Sequence, residues 1–387
     1  MLYEGEAGQR VGLELVNGVP AVRATVDGNA EQLLLIDTGS PLTLLARRAF
    51  PERPAGATAV RLGAFGLSFP AAPSAMVALF DSESPCAGPT PAGLLGADVL
   101  RHFGLELDFE AQQGALVADT QPLAVGDAPG ALQDLPFALR GGGTVRLADD
   151  LSVRVGPARV VLSLRVEGHA VEAVLDTGAT DTLISDTLLR RLPAAGRPLI
   201  CCKTLETATQ GAVAGRVTRL RSLELGAAIR LDGLPALVLP DATLFAALAR
   251  ETGRPITMLL GADVLRQLVS RLDYPRRRWR VGLRQDAQPA RADAYLLAGF
   301  TFCAARDGGG AQVQDVLLGC DAFAKGVRTG ERLLAIDGAT LIDLDQEAIL
   351  TLLRQAPLGQ SLRLRFATGG GLVERTVRLE QLLPPFS

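Results

Sequence analysis

The chain has 387 residues, 48% of them hydrophobic and 21% charged, with a formal net charge of −3. That length exceeds what one hydrophobic core usually serves, so two or three domains are expected. The charge balance and the absence of a long Lys/Arg block argue against nucleic acid as a partner, and no apolar run approaches the roughly 18 residues that span a membrane.

Met1 to Arg10 is polar and has no leader character. A cytosolic location is therefore open, as is the periplasm or cell envelope after removal of a leader. Val11 to Val26 alternates about Asn17-Gly18, which predicts a hairpin. The run Leu33-Leu34-Leu35-Ile36-Asp37-Thr38-Gly39-Ser40 then reads as a strand buried on both sides and ending in a carboxylate, followed by a second apolar run from Leu42 to Leu45. Ala46 to Phe50 predicts one helical turn stopped by Pro51, Val60 to Phe69 predicts strand, and Ser82 to Pro91 predicts loop. Gly93-Leu94-Leu95-Gly96-Ala97-Asp98-Val99-Leu100-Arg101 and Leu105 to Phe109 follow, then a turn into Ala115 to Ala118. Gln121 to Gly143 has linker composition.

The same landmarks then return in the same order. Val160 to Val166 and Val171 to Asp176 predict a hairpin whose second strand ends in Asp176-Thr177-Gly178-Ala179. Asp186 to Leu192 predicts a short helix capped by Asp186 and ended by Pro193. Met258-Leu259-Leu260-Gly261-Ala262-Asp263-Val264-Leu265-Arg266 repeats the earlier nonapeptide almost letter for letter. An ordered set of matches reads as a duplicated lobe. The copies differ in length: Asp37 to Gly63 is 26 positions (63 minus 37), whereas Asp176 to Gly226 is 50 (226 minus 176). The excess centres on residues 204–219, where Thr207-Ala208-Thr209-Gln210-Gly211 lies between β-compatible flanks. It predicts a hairpin that acts as a lid. Arg276-Arg277-Arg278 reads as a solvated turn.

Residues 294–387 have their own pattern, with strands expected at Phe300 to Ala305, Gln312 to Val316, Arg332 to Ile336, Ser361 to Ala367 and Val373 to Leu379. Helices are expected at Ala322 to Gly326 and, amphipathic, at Asp345 to Gln355. Only two histidines, His102 and His169, are present, which excludes a zinc site with several imidazole ligands, and no nucleophile elbow supports a Ser-His-Asp triad. No metal and no cofactor are expected. The five cysteines (Cys86, Cys201, Cys202, Cys303 and Cys320) are odd in number and lack a Cys-x-x-Cys spacing, so buried or idle thiols are the favoured reading, with one bridge left open.

Burying a carboxylate at a strand end costs desolvation energy, and the chain does it twice in one context. If Asp37 and Asp176 meet, both cannot ionise at close range, and they share a proton. One then serves as general base on a water held between them, while the other donates to a substrate carbonyl oxygen. Gly39 and Gly178 would let the backbone approach the carboxylates, and Thr38 and Thr177 would point their hydroxyls into the junction between lobes.

With these residues in view, the chain resembles an aspartic protease of the pepsin and retroviral type, a bacterial retropepsin-like form with both lobes in one chain. That family pairs each Asp-Thr-Gly with a downstream hydrophobic-hydrophobic-Gly, matched here by Leu94-Leu95-Gly96 and Leu259-Leu260-Gly261. The resemblance covers about residues 11–285. It implies catalytic Asp37 and Asp176, supported by Thr38, Gly39, Ser40, Thr177, Gly178 and Ala179. The flap is expected on the second lobe, at Thr207, Ala208, Gln210 and Gly211, and not on the first. Ser40 can offer a hydroxyl to Asp37 where Ala179 has none for Asp176, so the dyad should be less acidic than in pepsin and work nearer mild acid or neutrality.

The C-terminal part resembles a PDZ domain of the bacterial protease type, on Val313 to Val316, Asp321 to Glu331 and Leu333 to Gly338. Such domains take a peptide C-terminus by strand addition. Leu297, Ala298, Gly299 and Phe300 are the matching loop. The expectation is thus a mainly β fold with two retropepsin-like lobes related by a pseudo-twofold axis, plus a small α/β-containing PDZ domain. The boundaries are 1–125, 126–155 as linker and bridging strands, 156–285, and 293–387. The expected function is a monomeric aspartic endopeptidase acting on proteins or peptides. The alternative is an inactive protease-like module that binds peptides.

Overall fold

A computed structural model describes residues 2–5, 8–51, 58–69, 74–75, 86–109, 111–117, 132–148, 151–207, 211–284 and 295–386. The fold is mainly β. The first repeat contributes β1 (Val11–Val16), β2 (Val19–Val26), β3 (Gln32–Ile36), β4 (Leu44–Ala46), β5 (Thr58–Leu62), β6 (Phe65–Phe69) and β7 (Gly93–Leu95). A one-turn helix α1 (Ala97–Leu100) and strands β8 (Gly104–Asp108) and β9 (Gln113–Val117) complete it. β1 and β2 turn at Asn17-Gly18, where both residues have positive φ, the geometry that suits the twist of a hairpin. β3 runs parallel to β7, with Leu34 to Ile36 opposite Gly93 to Leu95, and β7 is antiparallel to β4. Leu34 and Ile36 pack into one apolar cluster, and Leu33 and Leu35 into another with Leu94. The acidic strand is therefore covered on both faces, which is why its sequence is unbroken apolar rather than alternating.

Two short strands follow, β10 (Gln133–Pro136) and β11 (Ala138–Arg140). The second repeat has β12 (Arg159–Val166), β13 (His169–Leu175), β14 (Leu183–Ser185), α2 (Asp186–Arg191), β15 (Leu199–Thr207), β16 (Gly211–Leu225) and β17 (Ile229–Leu239). It ends with α3 (Leu244–Thr252), β18 (Ile256–Leu260), α4 (Ala262–Leu265), β19 (Leu268–Asp273) and β20 (Arg278–Leu283). β13 lies parallel to β18, and β18 antiparallel to β14, the same arrangement as in the first repeat. One local reading is corrected here. Asp186 is the first residue of α2, and the cap is Ser185, whose hydroxyl accepts the Leu188 N–H at 3.1 Å. A side chain one residue further out reaches the free amides of the first turn, whereas Asp186 pairs with Arg216.

Backbone pairing joins the repeats. β8 is antiparallel to β19, Gly104 opposite Asp273 and Leu107 opposite Ser270. β10 adds to β20 in that same sheet, while β11, just beyond it in sequence, adds to β12 in the other. The Pro- and Gly-rich stretch thus contains two bridging strands, and residues 121–131 lie outside the described residues.

The C-terminal unit is a sheet in the order β21 (Phe300–Ala304), β22 (Ala311–Val316), β23 (Arg332–Ile336), β24 (Ser361–Thr368), β25 (Gly371–Arg378), with helices α5 (Asp321–Ala324) and α6 (Gln346–Gln355). Asp345 caps α6 through the Ala348 N–H at 2.8 Å. This unit packs on the second repeat. One apolar cluster runs from Leu237, Leu239 and Phe245 to Phe300, Phe302 and Ile349. The Arg219 guanidinium donates to the Leu383 carbonyl at 3.1 and 2.6 Å, and Arg221 lies 3.9 Å from the centre of the Phe386 ring.

The cysteines overturn the expectation of idle thiols. Cys86 and Cys303 form a disulfide with an S–S distance of 2.02 Å, tying the first repeat to β21. The consecutive Cys201 and Cys202 form a second pair in β15, and Cys320 is free and buried. A bridge across 217 positions leaves no trace in local spacing. Among the described residues, no helix is long and apolar enough to cross a membrane.

Candidate active site

The two Asp-Thr-Gly loops sit at the ends of β3 and β13, where the parallel neighbours hold them alike. The Asp37 N–H donates to the Leu95 carbonyl and the Asp176 N–H to the Leu260 carbonyl, both at 3.0 Å. The loops then cross-bond. The Thr38 N–H donates to the Thr177 hydroxyl at 2.9 Å, and the Thr177 N–H donates to the Thr38 hydroxyl at 3.0 Å. Each hydroxyl spends its own proton on the opposite strand, Thr38 on the Leu175 carbonyl at 3.0 Å and Thr177 on the Ile36 carbonyl at 2.6 Å. Both threonines are buried, and the amide and hydroxyl of each find their partners within this junction.

The carboxylates are brought face to face by the same exchange. A Cβ added to Gly39 would fall on the Asp176 carboxylate, and one added to Gly178 would fall on that of Asp37. Only glycine admits this approach. Asp37 accepts the N–H groups of Gly39 and Ser40 at 2.8 and 2.9 Å, and Asp176 accepts that of Gly178 at 2.9 Å. The Ser40 hydroxyl does not reach Asp37, contrary to expectation. It donates to the Leu42 carbonyl at 2.7 Å, closing the turn, and only the Ser40 backbone N–H serves the carboxylate.

Burial pushes both carboxyls above the ordinary carboxylate range. For Asp37 the charge of Asp176 adds to that push, and the Arg159 guanidinium opposes it at both aspartates. Arg159 is itself held by a two-point ion pair with Glu251 at 2.9 and 3.0 Å. Two close, buried carboxyls with raised pKa values hold a proton between them and favour the singly charged state.

Residues 162–264 match a family model described as Aspartyl protease. That span carries Asp176, the hairpin of β15 and β16, and Leu259-Leu260-Gly261. Similar solved structures include an aspartic proteinase from Irpex lacteus, at 14% identity over 73% of this chain and 99% of that one, with a TM-score of 0.42. A retropepsin-like aspartic protease from Rickettsia conorii matches at 13% identity over 39% of this chain and 92% of that one, TM-score 0.26. An aminopeptidase N family protein from Idiomarina loihiensis matches at 17% identity over 26% of this chain, TM-score 0.21, and the match spans 16% of that protein's length. No curated protein matches the chain.

Two further supports of the loops were not read from the sequence. Asp263 accepts the Thr182 N–H and hydroxyl at 3.0 and 2.7 Å, and Asp98 accepts the same two groups of Thr43, both at 2.7 Å. Each threonine hydroxyl in turn accepts the N–H of the glycine after the second apolar pair, Gly261 at 3.2 Å and Gly96 at 3.0 Å. The signal was present: Thr43 and Thr182 each follow their aspartate by six positions (43 minus 37, 182 minus 176), and each Asp belongs to the repeated nonapeptide. Burial raises the Asp263 pKa to about 6, with the Asp181 charge adding to it.

The expected lid is a hairpin. β15 pairs with β16 from Leu199 opposite Thr218 to Thr207 opposite Gly211, while Ala208, Thr209 and Gln210 lie outside the described residues. Midway along β15, the Lys203 ammonium contacts both oxygens of Asp181, just past the second Asp-Thr-Gly, at 2.8 and 2.7 Å. A cavity of about 180 Å³ beside this hairpin is lined by Asp186, Cys201, Gly215, Arg216 and Pro240 and includes neither aspartate of the dyad. In the C-terminal unit Leu297, half-buried, and Ala298, buried, end a helical turn (Tyr295–Ala298) where a loop was expected, and buried Gly299 and Phe300 lead into β21, all remote in sequence from the dyad. Among the described residues no three His, Cys, Asp or Glu side chains gather as metal ligands would.

Proposed function

We propose that the chain is a monomeric aspartic endopeptidase, hydrolysing peptide bonds with Asp37 and Asp176 as its catalytic pair. The observation that carries this reading is the reciprocal approach of the carboxylates, each resting against the glycine of the opposite Asp-Thr-Gly. In the singly protonated state the ionised carboxylate takes a proton from a water between the two, and the hydroxide formed attacks the peptide carbonyl carbon. The protonated carboxyl donates to the carbonyl oxygen as negative charge develops there. Collapse of the tetrahedral species breaks the C–N bond, and the amine leaves with a proton returned by the pair. Thr38 and Thr177 position the loops, and the β15–β16 hairpin covers the bound chain. The C-terminal unit acts as a PDZ-like domain that receives a peptide C-terminus at Leu297 to Phe300.

The test is digestion of a peptide library derived from a whole proteome, read by mass spectrometry, with wild type against Asp37→Asn. New termini produced by wild type alone support the reading. Equal inertness of both across pH 3–8 would sink it and leave a peptide-binding module in its place.

A further inference from the structure

The outer edge of β21, opposite β22, is where a peptide strand would add to the C-terminal sheet, and the chain itself sits there. The Gln346 side chain makes the two bonds of a strand partner: its amide Nε2 donates to the Phe302 carbonyl at 3.0 Å and its Oε1 accepts the Ala304 N–H at 2.7 Å. The Ala87 N–H donates to the Ala304 carbonyl at 2.6 Å, and Cys86 forms an antiparallel bridge with Ala305. Arg306 donates to the Thr90 hydroxyl at 3.1 Å, and the Cys86–Cys303 disulfide locks the segment onto the strand. This direction is the one an incoming peptide would need to bring its C-terminus toward Leu297 to Phe300. An open strand edge is a template for pairing, and here it is taken.

We propose that Cys86–Cys303 is a redox lock on this edge. While it is intact, residues 86–87 and Gln346 exclude an extended peptide from β21. A dithiol opens it: one thiolate attacks a sulfur of the bridge to give a mixed disulfide, and the second thiol closes on the first. The protein S–S bond breaks, two S–H bonds form with two electrons and two protons from the dithiol, and the dithiol leaves as its cyclic disulfide. Cys86 and Cys303 are both half-buried residues that solvent reaches in part. With the disulfide cut, the backbone contacts of residues 86–87 with this strand among the described residues are the Ala87–Ala304 bond and the Cys86–Ala305 pairing, and weakly bonded edge segments open locally at low cost.

The lock deepens the peptide-binding reading of the C-terminal unit and does not depend on catalysis by the dyad. Its test is amide hydrogen exchange on the full chain with and without dithiothreitol, alongside Cys303→Ser without reductant. Exchange at 86–92 and 300–305 should quicken at least tenfold in both opened forms, with β24 and β25 unchanged. Unchanged exchange at 86–92 and 300–305 would overturn the lock. A second arm adds a fluorescein-labelled peptide of residues 86–92, with serine at the first position, to Ala87→Pro, which has no N–H to give Ala304. Binding at least tenfold tighter to the reduced variant than to oxidised wild type supports the exclusion of peptide by the lock. Equal binding to the two overturns that exclusion. Quickened exchange with no peptide bound keeps the lock and discards peptide capture at this edge.

Discussion

Thr38 and Thr177 exchange bonds, each amide donating to the other's hydroxyl at 2.9 and 3.0 Å, so neither loop is complete without the other. Thr38→Val strands the Thr177 N–H and the Leu175 carbonyl in a fully buried junction. Leaving such groups unpaired costs about 1–3 kcal/mol. We expect that loss for either single Val variant in urea unfolding, and a double variant markedly less unstable than the sum, because both remove one network. Additive losses would mean that the four bonds act independently.

Tyr274 gives the opposite expectation. Its phenol oxygen is buried with no hydrogen-bond partner among the described residues, and its ring meets that of Phe137 edge-on, centroids 5.9 Å apart. Tyr274→Phe removes a group that folding leaves unpaired, so stability should hold or rise by about 1 kcal/mol. A loss above that amount would reveal a partner for the hydroxyl.

Cleavage should follow a bell-shaped pH profile, its two limbs belonging to the pair and not to either residue. Burial raises both carboxyls, so the singly protonated window moves up in pH, and the maximum is expected between mild acid and neutrality. A maximum at pH 2–3 would contradict this. Asp37→Asn or Asp176→Asn should lower turnover by about 10²–10⁴ at every pH, the usual worth of a positioned acid or base.

Gly39→Ala tests the close approach separately from the charge. The new methyl would occupy the position of the Asp176 carboxylate, forcing the pair apart. Turnover should fall to the level of Asp37→Asn while the circular dichroism spectrum stays that of wild type. Retained turnover would show that the loops can separate without harm.

Asp263 links pH to stability. Its pKa is about 6 in the folded chain against an ordinary 3.8, so the folded state holds its proton more tightly. The associated stability is present in full below pH 3.8 and is lost as pH rises through 6. The shift corresponds to at most about 3 kcal/mol. Asp263→Asn, which keeps one acceptor for Thr182, should be less stable than wild type at pH 4, and that deficit should shrink by about 1–3 kcal/mol at pH 8. A deficit independent of pH would refute the raised pKa.

By itself, the sequence determined the mainly β character, the two buried strands ending in Asp-Thr-Gly, and the hairpins at Asn17-Gly18 and around residues 204–219, while the matching of each acidic strand to Leu94-Leu95-Gly96 or Leu259-Leu260-Gly261 came from the family resemblance. These follow from short-range rules: apolar runs covered on both faces, turn residues, and landmarks repeated in one order. The tertiary structure alone decided which atoms meet. Ser40 turns its hydroxyl to Leu42, Ser185 takes the cap from Asp186, Asp98 and Asp263 clasp Thr43 and Thr182, and Cys86 reaches Cys303. Each is a matter of sheet register and side-chain direction; the linear pattern repeats Thr43 and Thr182 with Asp98 and Asp263 but does not say that they bond.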